Sequence, residues 1–202
     1  MPYSQSEDEL IVAVDPDSGQ AIGSVSKVLA HTEGIWHATI HCWILDVDRR
    51  LIFQRRSQDK ALWPGRWDIS AAGHIRPGED GLREIKEELG ADVTPEELID
   101  VGVLTVDQRC DGTINRERPR VYLWDSGRHL ESFTFEDGEV TALTSLSLAQ
   151  VQELLRGGTI HISYADPLHR HDSTMNLTSI VPLSAQYWEH LIAAITSLTP
   201  RV

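Results

Sequence analysis

The sequence predicts a mixed α/β domain, of the α+β or α/β/α sandwich class, and three observations predict it. Short runs rich in β-branched residues recur along the chain, bounded by turn formers. Three segments carry helical apolar spacing, and two of them run into glycine, at Gly90 and at Gly157-Gly158. Strands and helices are interspersed without the regular βαβ alternation of a parallel sheet.

Taken in order, Leu10–Val14 and residues 21–25 flank the turn signal Asp15-Pro16-Asp17-Ser18-Gly19, so a β-hairpin is expected. Residues 36–46 (WHATIHCWILD) read as a buried strand, and residues 51–55 (LIFQR) as its hairpin partner across Asp48-Arg49-Arg50. Residues 57–68 are rich in turn formers and aromatics and are expected to loop. Residues 69–72 form a short apolar run, and residues 73–81 a second loop. Residues 82–89 are expected to be helical, residues 98–106 and 120–124 extended, and residues 147–156 and 184–198 helical again. The expected organisation is an N-terminal hairpin extension (1–35), a central domain (36–158) and a tail with a helix packed on that domain (159–202).

The composition limits what such a domain does. Its 202 residues carry a formal net charge of −13, which repels nucleic-acid backbones and anionic membranes at long range. A nucleic-acid polymer is therefore not the expected partner, and no apolar run approaches the ~20 residues needed to span a bilayer. The polar, acidic N-terminus resembles neither a secretory nor a transit peptide. Cys42 and Cys110 lack CxxC spacing, which argues against a disulfide scaffold. A reducing cytoplasm is the expected compartment.

The segment that carries chemistry is GHIRPGEDGLREIKEELGA, residues 73–91. At about 100° per residue, Glu84, Glu87 and Glu88 fall within one arc of a helix, and Leu82, Ile85 and Leu89 gather opposite. Like charges so spaced destabilise an isolated helix by a few tenths of a kcal/mol per pair. A hard divalent cation reverses that sign, because Mg²⁺ takes carboxylate oxygens and completes its shell with water and phosphate.

The run Arg83-Glu84-Ile85-Lys86-Glu87-Glu88-Leu89-Gly90-Ala91 resembles the second half of the Nudix box, REUxEExGU with U a bulky aliphatic. Gly73 and Glu79 match its opening, Gx5E. The flanking LIFQRRSQDKALWPGRWDISAAGHIRPGE is similar to the isopentenyl-diphosphate-isomerase-like branch of that superfamily, and the resemblance spans about residues 8–156. It implies an α/β/α sandwich with a mixed sheet and hydrolysis of a diphosphate, usually a nucleoside diphosphate linked to another moiety. It also implies Mg²⁺ or Mn²⁺ held by Glu84, Glu87 and Glu88, with the Gly73 carbonyl as a further ligand and Arg83 orienting the glutamates. One departure stands out. The family places seven residues between the first Glu and the Arg, whereas here only Asp80-Gly81-Leu82 intervene. Four missing residues would shorten the helix N-terminus by about 6 Å. The expected form is a helix lacking its first turn, or a break in the chain.

Further candidates complete the expectation. Glu139 precedes a predicted helix and is a candidate base or metal ligand; with Glu136 and Asp137 it also reads as a solvated turn. Arg55, Arg56, Lys60 and His74 are candidates for substrate phosphates. Trp63 and Trp67 line a cleft or pack the loop, and Cys42 reads as core. His161, His169 and His171, with Asp166 and Asp172, fit no compact zinc spacing well. The competing functions are a ligand-binding module with an impaired site, and an isoprenoid diphosphate isomerase. The isomerases of the branch use a cysteine just before the box glycine, where this chain has Ala72.

Overall fold

The structure, a computed structural model, describes residues 9–110, 112–135 and 138–198. The chain opens with the hairpin of β1 (Leu10–Val14) and β2 (Ala21–Ser26), paired from Leu10↔Ser26 to Val14↔Ala21. A short helix follows, α1 (Lys27–Glu33), in a stretch with little apolar periodicity. Its ends explain it: the Ser26 side chain accepts from the Leu29 amide, and Gly34 caps the other end at φ 69°.

β3 (His37–Leu45) is the spine of the sheet. β4 (Leu51–Arg56) meets it only at Leu45↔Leu51 and then diverges to pair with β5 (Trp67–Asp68), so two residues of the expected 57–68 loop are extended. β6 (Ala71–His74) lies antiparallel on β3 from Thr39↔His74 to Cys42↔Ala71, which places Gly73 and His74 in a strand. α2 (Arg83–Leu89) carries the glutamates. The expected single strand over 98–106 is two, β7 (Leu98–Val103) and β8 (Val106–Cys110). Both pair with β9 (Thr113–Asp125), a far longer strand than residues 120–124. β9 also runs parallel to β3 from His37↔Glu117 to Leu45↔Asp125, and that pairing makes the sheet mixed.

β10 (Val140–Leu146) joins β4, and α3 (Leu148–Leu155) follows it. The remaining chain forms the hairpin of β11 (Thr159–Ala165) and β12 (Arg170–Asn176), then α4 (Ala185–Thr196). β11 adds to the same sheet through Leu143↔Ala165. No helix among the described residues is long and apolar enough to cross a membrane.

Strand alternation divides the core into two layers. Trp43 and Leu45 of β3 pack with Val151 and Leu154 of α3, and with Tyr187, Trp188 and Leu191 of α4. Cys42 and Ile44 face the other way, against Ile85 and Leu89 of α2. The result is helix on both faces of one sheet, the α/β/α arrangement.

Candidate active site

α2 presents its acids because its apolar residues are anchored. Ile85 and Leu89 are fully buried, and Gly90 ends the helix in the left-handed conformation, φ 63°. No side-chain cap opens it at Leu82, and no residue upstream of Arg83 is helical in it. Arg83 works as a fork. Nε reaches Glu79 Oε2 at 3.1 Å, one terminal nitrogen reaches Glu84 Oε1 at 2.6 Å, and the other pairs with Glu87.

The three glutamates have unequal surroundings. Glu87 is exposed. Glu84 is mostly buried, and burial pushes its carboxyl up to about 7, with Arg83 opposing and Glu87 adding to the rise. Glu88 is 4% exposed; its Oε2 accepts from the Ala72 amide at 2.9 Å and from Gln54 Nε2 at 3.2 Å. Burial pushes Glu88 up to about 8, against the lowering effect of Lys60 and the Ala72 amide. Glu84 and Glu88, one helical turn apart, form an acidic niche whose proton affinity burial raises. Gly73 completes it, since a Cβ there would overlap the Glu84 carboxyl group. The donor set is all oxygen and suits a hard divalent cation.

Lys60 and Glu139 form an ion pair beside this cluster, and both contribute to the electrostatics of Glu88. The Glu139 carbonyl accepts from Ser57 N at 2.8 Å, which fixes the bend to the 57–68 loop. Glu136 and Asp137 lie outside the described residues. Arg55 and Arg56, expected to face substrate, are engaged by the fold: Arg56 pairs with Asp68 at 2.6 Å and donates to the Leu62 carbonyl. Arg55 donates to Gly65 O and lies over Trp67 and Tyr164. Trp67 belongs to the core, while Trp63, at φ 53°, donates to Gln108 under the Arg66 guanidinium. Cys42 is fully buried, and burial pushes its thiol up.

His74 meets two other histidines. Its Nε2 lies 3.1 Å from His31 Nε2, its ring stacks on His37, and one ring nitrogen from each of the three lies within 4.8 Å of the others. His37 Nδ1 donates to the Ile35 carbonyl at 2.8 Å, which leaves the Nε2 lone pair buried without a partner. An N–H or O–H donor facing that lone pair would be ordinary; with none among the described residues, the nitrogen can serve a cation as ligand. Burial, then the neighbouring His37, lowers the His31 imidazole to about 4. His161, His169 and His171 form no comparable group among the described residues, and His171 pairs with Asp166 at 2.7 Å. The chain itself hides the cluster, because its members come from α1, the start of β3 and the end of β6.

Residues 36–164 match the NUDIX domain family. The chain belongs to the Nudix family. Over 155 residues this Nudix hydrolase is 36% identical to an uncharacterized Nudix hydrolase of Clostridium acetobutylicum, covering 74% of this chain and 75% of that one. It is also 36% identical over 150 residues to Nudix hydrolase 3 of Arabidopsis thaliana, covering 68% of this chain but 19% of the plant protein. An isopentenyl-diphosphate Delta-isomerase of Clavibacter sepedonicus is 36% identical over 96 residues, or 45% of this chain and 50% of that one. The chain thus spans half or less of these last two relatives. Among solved structures, DR0079 from Deinococcus radiodurans shares the fold, with TM-score 0.51 at 20% identity over 71% of this chain and 89% of that chain.

Proposed function

We propose that this Nudix hydrolase cleaves the diphosphate linkage of a small phosphorylated molecule with Mg²⁺ or Mn²⁺ held by Glu84, Glu87 and Glu88. The single observation behind this reading is the acid face of α2, where buried Glu88 is held by the Ala72 amide and Glu84 and exposed Glu87 by Arg83. The Gly73 carbonyl is a further candidate ligand. When bound, the metal polarises phosphoryl oxygens and lowers the pKa of a water.

The chain's own residues do the rest. Arg83 holds Glu84 and Glu87 through separate nitrogens, which limits the orientations of both carboxylates and leaves one oxygen of each for the metal in this reading. Ala72 N and Gln54 hold one oxygen of Glu88 in the same way. In this reading Lys60, paired with Glu139, exchanges that carboxylate for a substrate phosphate oxygen, and the released Glu139 accepts the proton of the attacking water. The histidine cluster takes a softer divalent ion such as Zn²⁺, for which imidazole nitrogen is the fitting donor. The compartment we propose is the cytoplasm.

The test is a panel of nucleotide sugars, dinucleoside polyphosphates, NADH, ADP-ribose and isoprenoid diphosphates, assayed with Mg²⁺, Mn²⁺ or chelator. Glu87→Gln and Glu88→Gln should each cut turnover at least a hundredfold, about 2.7 kcal/mol of barrier, with the fold retained. Unchanged turnover in both variants sinks the assignment.

A further inference from the structure

A chain of hydrogen bonds runs from the C-terminal helix toward the imidazole cluster, and donor and acceptor chemistry sets its direction. Trp43 Nε1 can only donate, and it donates to Tyr187 Oη at 3.0 Å. Tyr187 Oη lies 2.9 Å from His41 Nδ1, so the hydroxyl, having accepted from the indole, gives its own proton to that nitrogen. The neutral His41 ring then carries its hydrogen on Nε2, which lies 3.3 Å from Glu117 Oε2. The carboxylate only accepts. Three consecutive donors therefore point the same way, each polarising the next.

The chain ends where charge is wanted. Asn115 Nδ2 donates to the other Glu117 oxygen at 3.0 Å, so the carboxylate is fixed at both atoms. Glu117 stands in register with His37 across the parallel β3–β9 pair, on the face shared with His74. Burial alone would raise the Glu117 carboxyl, but the hydrogen bond from His41, with the imidazoles of His37 and His74 nearby, holds it well below the usual carboxylate range. Trp43 and Tyr187 are no more than 1% exposed and His41 is 4% exposed. A buried polar chain is costly unless its members are satisfied, and from Trp43 through Tyr187 and His41 to Glu117 each link is made.

We propose that Tyr187 and His41 are positioning residues for a divalent cation at the His31–His37–His74 cluster, acting through the Glu117 carboxylate. The inference rests on reading that cluster as a cation site, and it makes α4 part of the site. Outer partners of metal-binding groups are worth about 10–100-fold in affinity.

Co²⁺ titration of the full chain tests it, read by visible absorption and by paramagnetically shifted imidazole N–H protons in the NMR spectrum. Carboxylates on α2 give no such protons, so the two sites separate in the readout. Tyr187→Phe should weaken Co²⁺ binding at the imidazole site about tenfold and move the absorption bands. His41→Phe should do at least as much, and His41→Gln, which keeps an N–H toward Glu117, should restore most of the loss. Urea unfolding checks folding separately; if His41→Phe does not fold, Tyr187→Phe decides. Shifted imidazole protons in the wild type with unchanged affinity in Tyr187→Phe would overturn the positioning role alone. Their absence from the wild type would overturn both the role and the cation reading of the cluster.

Discussion

The glutamate helix and the histidine cluster are both built from ligand-bearing side chains, yet they are put together in opposite ways. Glu84, Glu87 and Glu88 come from five consecutive residues of α2, on the sheet face that carries Cys42 and Ile44. His31, His37 and His74 come from three separate elements, with His37 and His74 on the face of Trp43. The first site is organised by helix pitch and by one arginine. The second is organised by strand register and by burial. The two abut at β6, where Gly73 makes room for Glu84 and the next residue, His74, turns to the other face. Local chemistry is legible in a sequence; chemistry assembled by register is not.

The sharpest way to break this contrast is a crossed substitution. His37→Asn removes the orphaned Nε2 ligand and should weaken Co²⁺ at the imidazole cluster a hundredfold or more. Glu87→Gln should leave the shifted imidazole protons in place. If either substitution abolishes both metal signals, the clusters are one site and the comparison fails.

A smaller but still large effect is expected at Gly73. An alanine there forces the Glu84 carboxyl group aside. Turnover should fall about tenfold, about 1.4 kcal/mol of barrier, with KM little changed. Normal turnover in Gly73→Ala would mean that the position of Glu84 does not matter to the reaction.

Proton linkage gives the next distinction. In the fold the carboxyls of Glu84 and Glu88 titrate near 7 and 8, against an ordinary value of 4.5. A raised carboxyl binds its proton more tightly in the folded state. Its contribution to stability is therefore fullest below about pH 4.5 and is lost as pH rises through 7 to 8. Mg²⁺ needs the ionised forms, so its binding expels protons below about pH 8. The rise in Tm caused by saturating Mg²⁺ should grow from pH 6 to pH 8.5, in thermal melts with and without the ion. A rise that is flat across that window would remove Glu84 and Glu88 from the metal site.

These expectations also mark what the sequence carried. The α2 glutamates were readable because helix pitch alone puts residues three and four apart on one face. The hairpin at Asp15–Gly19 was readable from turn chemistry, and the helices over residues 147–156 and 184–198 from their apolar spacing. α1 was not, because its seven residues depend on Ser26, Gly34 and packing against β9 rather than on their own periodicity. The β11–β12 hairpin was missed for a related reason. Its alternation is broken by exposed polar residues on β12, where Met175 alone is buried. Arg55 and Arg56 looked available for phosphate because nothing local shows that Asp68 and the 57–68 loop carbonyls engage them. The histidine cluster needed the Thr39↔His74 register, which no local pattern encodes.

The smallest effect expected is also the most discriminating between the two regions. Ser147 and Ser184 play the same local role, each accepting a hydrogen bond from the backbone amide three residues on, to open α3 and α4. Replacing either by alanine should cost about 1 kcal/mol, seen as a lower urea midpoint with an unchanged slope. Their consequences for metal should differ. The amide released at Ser184 belongs to Tyr187, so the first turn of α4 loosens under the hydroxyl that bonds His41. Ser184→Ala should therefore weaken Co²⁺ at the imidazole cluster by about two- to threefold, less than the loss of the hydroxyl itself, in keeping with a cap whose disruption is partial. Ser147→Ala, equal in stability cost and placed on a helix that makes none of these bonds, should leave Co²⁺ affinity where it was. Equal effects of the two substitutions on Co²⁺ would mean that global stability, and not the α4 hydrogen-bond chain, governs the cluster.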